Sequence, residues 1–130
     1  MATFKLNKLV RNKLIEMQLA LGEKPHYRVL KGKEMRDALL SKIIEETKET
    51  QAKKGASISS EIADIQQAID DLVDQAGLTK EEIAIQQELK NIEKGSFSKG
   101  YFVETIDLEE NDKWTKYYRT DPDRFPEIKK

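Results

Sequence analysis

The sequence predicts an all-α protein, and three observations carry that expectation. Apolar residues recur at helical spacing in four segments, a glycine stands just past the end of each, and no long alternating strand pattern competes with them. Hydrophobic residues make up 38% of the chain and charged residues 36%. Because the apolar residues are grouped periodically rather than scattered, that balance indicates a folded helical chain and not a disordered one. Its 130 residues suffice for one domain with a modest core.

The first helix is expected from about Leu6 to Leu21, stopped by Gly22. The second runs from about Glu34 to Lys53 and ends at Gly55. The third spans about Ser59 to Ala76, before Gly77, and the fourth Lys80 to Lys94, before Gly95. Glycine at these positions accepts the left-handed conformation that releases a chain from a helix. Thr79-Lys80-Glu81-Glu82 reads as a capping box, with Thr79 as N-cap and Glu82 reaching back to it. Two stretches, His26 to Leu30 and Tyr101 to Ile106, are rich in aromatic and β-branched residues and read as a small two-stranded β-ribbon. Beyond Asp107 the chain turns polar and aromatic, with Trp114, Tyr117, Tyr118 and Phe125 among prolines. Residues 1–107 are therefore expected as one domain and 108–130 as an extended tail lying on a surface. No internal repeat or low-complexity run is present.

Composition excludes several chemistries. A net charge of −1 provides no basic field for a nucleic-acid backbone, although free nucleotides carried with a metal ion stay open as ligands. There is no cysteine, so disulfides, thiolate metal sites and a cysteine nucleophile are ruled out, and the single histidine, His26, cannot build a multi-histidine centre. The start of the chain lacks an apolar signal core and no run reaches the length of a membrane span. A cytoplasmic protein without membrane association is the expectation.

The second helix holds the informative departure from pattern. At about 100° per residue, Met35, Leu39, Leu40, Ile43 and Ile44 form one apolar stripe, and Glu46 falls inside it. Glu49 lies at its border and Glu45 points further away. The third helix repeats the feature: Glu61 and Asp64 flank a stripe of Ile58, Ile62, Ile65, Ile69, Leu72 and Val73. If the two helices pack antiparallel through a short loop at Lys54 to Ser57, Glu46, Glu49, Glu61 and Asp64 converge. Carboxylates crowded in a partly buried place must be protonated or gathered around cations. Oxygen ligands alone suit magnesium, with manganese as a substitute. An EExxE run by itself is ordinary solvated surface, for which Lys42, Lys48 and Lys53 would supply partners. The stripe position of Glu46 and the second acidic pair tip the reading towards a metal site.

Glu45-Glu46-x-x-Glu49, then eleven residues, then Glu61-x-x-Asp64 resembles the motif of the MazG-like all-α nucleoside triphosphate pyrophosphohydrolases, a superfamily that also includes phosphoribosyl-ATP pyrophosphohydrolases and dimeric dUTPases. Lys8-Leu9-Val10-Arg11-Asn12-Lys13, Tyr27 to Leu30, and Gly95-Ser96-Phe97-x-Lys99-Gly100-x-Phe102 resemble further landmarks of a subgroup associated with non-standard nucleotides. The likeness covers about residues 5 to 106. It departs at Asn12, where aspartate is usual, and at Ser96, where a second glycine is usual, and both departures bear on the substrate pocket. The resemblance implies a MazG-like helical bundle, metal ligands at Glu46, Glu49, Glu61 and Asp64, and a role for Glu45 in orienting or deprotonating the attacking water or in binding a further ion.

Lys8, Arg11 and Lys13, at the head of the first helix, are candidates to grip phosphate; on spacing alone they would equally be a solvated basic face. The resemblance strengthens the case for Arg11 and Lys13. Lys94 and Lys99, around Gly95, are candidates for a second phosphate-contacting loop. Phe97 would either stack on a base or fill the core. His26 receives no role.

The function implied is magnesium-dependent hydrolysis of a nucleoside triphosphate to a monophosphate and pyrophosphate, with a small-molecule nucleotide as substrate. The alternative is a catalytically silent metal-binding helical interaction module, and a third reading is a plain oligomerisation protein with its acids in water. Three or four short helices make a thin core, so a homodimer or higher homo-oligomer is expected.

Overall fold

A computed structural model describes residues 1–52 and 58–129. It is all-α, with five helices and no strand among the described residues: α1 (Asn12–Ala20), α2 (Gly32–Ala52), α3 (Ile58–Gln75), α4 (Lys80–Lys94) and α5 (Lys113–Arg119). The chain divides into two compact units, Met1–Glu93 and Lys94–Lys130. No helix among the described residues is long and apolar enough to cross a membrane.

The first unit is organised by α2 and α3, which run antiparallel. At one end of the pair Arg36 Nε donates to Gln75 Oε1 (3.1 Å), and Gln75 Nε2 donates to the Gly32 carbonyl (2.9 Å). At the other end Glu46 on α2 faces Glu61 and Asp64 on α3. The expected loop at Lys54 to Ser57, and the stop at Gly55, lie outside the described residues. Leu39 (2% exposed), Ala68 and Val73 are the buried apolar residues among those described. Replacing Leu39 with alanine is expected to cost about 2–5 kcal/mol, read as a lower denaturant midpoint at unchanged slope.

The first helix is shorter than expected. Asn7 takes a left-handed backbone (φ 47°), which no residue inside a right-handed helix can do. Arg11, at φ −66° and ψ 148°, is the extended residue from which α1 starts. Lys8 and Arg11 therefore precede the helix, and residues 6–11 are free to reach across to other elements. The fourth helix spans the expected residues, and the Thr79 hydroxyl accepts from the Glu82 N–H (3.1 Å) as the N-cap. Its first half faces α3, where Lys80 pairs with Asp70 (3.5 Å) and a shallow groove runs between Ile69, Val73, Ile83 and Ala84.

The expected two-stranded ribbon is not formed. Neither 26–30 nor 101–106 is a strand, and Val29, Phe102 and Val103 are each at least 73% exposed. Strand preference in such residues expresses packing against neighbouring strands, and an isolated pair is marginal in water. Arg28 instead donates to Glu34 (2.9 Å) at the start of α2.

In the second unit the expectation of an extended tail is corrected by α5. Asp112 caps it, its side chain accepting from the Trp114 N–H at 2.8 Å, and the Thr115 hydroxyl donates to the Glu109 carbonyl (2.7 Å). Phe125 folds back onto Tyr118 and Tyr117 (ring centres 4.7 and 5.9 Å), with Trp114 edge-on to Tyr117. Arg119 holds both Glu110 and Glu127 at 2.8 Å, and that guanidinium pulls the Glu127 carboxyl down to about 2. The four aromatics thus satisfy one another within their own unit.

Candidate metal centre

One carboxylate oxygen from each of Glu46, Glu61 and Asp64 lies within 4.8 Å of the other two. Their positions follow from helix geometry. Glu46 continues the buried line of Leu39 seven residues on, so packing α2 against α3 buries it. Glu61 and Asp64 stand one turn apart on the facing side of α3. Glu46 is 6% exposed and Glu61 4%, while Asp64 is half-buried. Oxygens bound to one magnesium ion at about 2.1 Å are at most about 4.2 Å apart, so a slight closing of these side chains makes a three-oxygen ligand set. The donor set is all oxygen, as a hard divalent ion requires.

Cations already approach the centre. Lys42, one turn before the acids on α2, reaches Glu45 Oε2 at 2.9 Å and Glu46 Oε1 at 3.3 Å. Lys8 meets Glu45 Oε1 at 3.4 Å and Arg11 meets Asp64 Oδ1 at 2.6 Å, both from the segment preceding α1. The other oxygen of Glu46, Oε2, is buried and has no hydrogen-bond partner among the described residues. A buried carboxylate oxygen left without a donor is costly in a folded protein unless an ion completes it.

The electrostatics separate neighbouring acids. Burial pushes the Glu46 carboxyl above its ordinary value; Glu49 and Asp64 add to the rise, against the pull of Lys42. The hydrogen bond from Lys42 holds Glu45 below its ordinary value, over a smaller cost of burial, with Lys8 contributing. Burial works against the charge on Lys42, but its bonds to Glu45 and Glu46 outweigh that and raise it. Glu45 is thus a carboxylate whose charged form is favoured by two ammonium groups. Such a group orients a water well and accepts its proton poorly.

Of the residues singled out by sequence, Glu45, Glu46, Glu61, Asp64, Lys8 and Arg11 come together. Glu49, one turn beyond Glu46, is exposed and outside the three-oxygen group, though close enough to act on Glu46. Lys13 is exposed on α1. Lys94, Phe97 and Lys99 belong to the second unit and are exposed there, Phe97 completely, so Phe97 fills no core. Sequence reasoning undervalued Lys42, treating it only as a surface partner for the EExxE run. Its i, i+3 and i, i+4 spacing to Glu45 and Glu46 was the available signal. Comparison with protein-family models, with curated proteins and with solved structures finds no match.

Proposed function

We propose that the chain is a magnesium-dependent, MazG-like pyrophosphohydrolase that converts a nucleoside triphosphate to a monophosphate and pyrophosphate, working as a homo-oligomer. The observation that carries this reading is the convergence of Glu46, Glu61 and Asp64 from two helices, with a buried, hydrogen-bond-free oxygen on Glu46. A purely structural hairpin has no use for a carboxylate in that position.

Glu46, Glu61 and Asp64 would hold the ion. Bound there, magnesium supplies charge neutralisation for the polyphosphate and a more acidic water. The chain's own groups supply the rest. Glu45, held by Lys42 on its own helix, positions the attacking water. Lys8 and Arg11 lie on exposed carboxylate contacts (side chains 44% and 64% exposed). Exposed pairs contribute little to stability, so both side chains are free to turn to incoming phosphate oxygens. Water adds to the first phosphorus, its proton passing to solvent, the bond from that phosphorus to the bridging oxygen breaks, and pyrophosphate leaves on that oxygen with its charge stabilised by these cations.

The test is a panel of nucleoside triphosphates with magnesium, with pyrophosphate and orthophosphate measured separately. Monophosphate plus pyrophosphate is expected, and nothing without a divalent ion. Diphosphate plus orthophosphate as main products would sink the assigned cleavage. Metal binding with no turnover on any nucleotide would favour a silent metal-binding module.

A further inference from the structure

Lys42 occupies the Glu45–Glu46 side of the acidic centre. Paired-ion sites place their ions about 3.5–4 Å apart, and a bridging carboxylate there offers one oxygen to each. In this centre Oε1 of Glu46 is already taken by the Lys42 ammonium, which also holds Glu45 Oε2, at 3.3 and 2.9 Å. Oε2 of the same carboxylate is buried and without a hydrogen bond. The two oxygens of Glu46 thus differ in kind, one facing the Lys42 ammonium and one with no donor among the described residues.

Lys42 also differs from the other cations at the site. Lys8 and Arg11 reach in from the segment before α1 with side chains 44% and 64% exposed, whereas the Lys42 side chain is 22% exposed and bonded to acids of its own helix. An ammonium tethered one turn from its partners loses little freedom by staying.

We infer that Lys42 is a built-in monovalent cation occupying the Glu45–Glu46 side of the acidic centre, so that the centre takes one divalent ion, through Glu46, Glu61 and Asp64, and not a pair. The inference rests on the metal centre proposed above and fixes its ion count. Lys42 is a positioning residue: it acts through Glu45 and Glu46 and never meets substrate. Removing its charge without its bulk frees two carboxylate oxygens side by side, which together form a second seat.

Manganese binding to the full-length chain, counted by the electron paramagnetic resonance of free ion and by calorimetry, tests this without any turnover. The wild type is expected to bind one ion per chain. Lys42→Met is expected to bind two, Lys42→Arg one, and Lys42→Met combined with Glu45→Gln one again. Two ions per wild-type chain overturn the inference whether or not any variant folds. One ion in both wild type and a helical Lys42→Met, with only the affinity changed, also overturns it and leaves the metal centre standing. No ion bound to the wild type removes the metal centre itself.

Discussion

Glu46→Gln, Glu61→Gln and Asp64→Asn are each expected to abolish turnover, by about 100-fold or more at saturating magnesium, since losing even an outer partner of a metal ligand costs about 10–100-fold. Glu49→Gln is expected to lose only about 10-fold, because its carboxylate is exposed and outside the three-oxygen group. The ion-free stability of these variants should hold or rise, which separates lost chemistry from lost fold. The sign follows from Glu46, whose carboxyl is raised in the folded chain, chiefly by burial. The folded state therefore keeps its proton more tightly than the unfolded chain does. Stability is lost as pH climbs from the ordinary carboxylate value through the raised one, and the penalty is fully present above it. Glu46→Gln removes it, so the variant's advantage should open across that interval and stay level above it. Denaturant midpoints at pH 4 and pH 7, with chelator present, measure this. Near wild-type turnover in any two of the three inner variants would end the site assignment.

The second large effect concerns association. On α2, Leu40 and Ile44 are 45% and 55% exposed and one turn apart; on α3, Ile58 and Ile62 are 55% and 54% exposed with the same spacing. Among the described residues only Leu39, Ala68 and Val73 are buried apolar residues, too few for a self-sufficient core. Two copies of the α2–α3 hairpin would make a four-helix bundle by covering these rows. Covering the remaining half of each side chain is worth about 1 kcal/mol apiece. The wild type is expected to be a dimer or larger at micromolar concentration. Ile44→Glu with Ile62→Glu should give a monomer that melts earlier, because each carboxylate would otherwise be buried without a partner. Light scattering decides: a wild-type monomer defeats the claim, and a double variant that stays associated moves the interface elsewhere.

The sequence by itself determined the helical class, the place of α4, and the stripes of α2 and α3 to which the buried Leu39 and Val73 belong. Each of those follows from periodicity and end residues, which are properties of a chain segment and its immediate neighbours. It also marked Glu46 as anomalous, because a charged residue on an apolar stripe is visible without coordinates. The missed elements have local causes too weak to read. The seven residues of α5, four of them aromatic or β-branched, are too short to display a period. The segments 26–30 and 101–106 carry strand-forming residues whose preference takes effect only when another strand is available. Only the tertiary structure decided what surrounds the acids. The Lys8–Glu45 and Arg11–Asp64 contacts join residues far apart in sequence, made possible by the break at Asn7 that ends the helix expected there. Antiparallel packing of α2 on α3 then sets Glu46 opposite Glu61 and Asp64 and buries it. Burial depends on what packs from elsewhere, and so do the raised carboxyl of Glu46, the lowered one of Glu45 and the place of Lys42 between them.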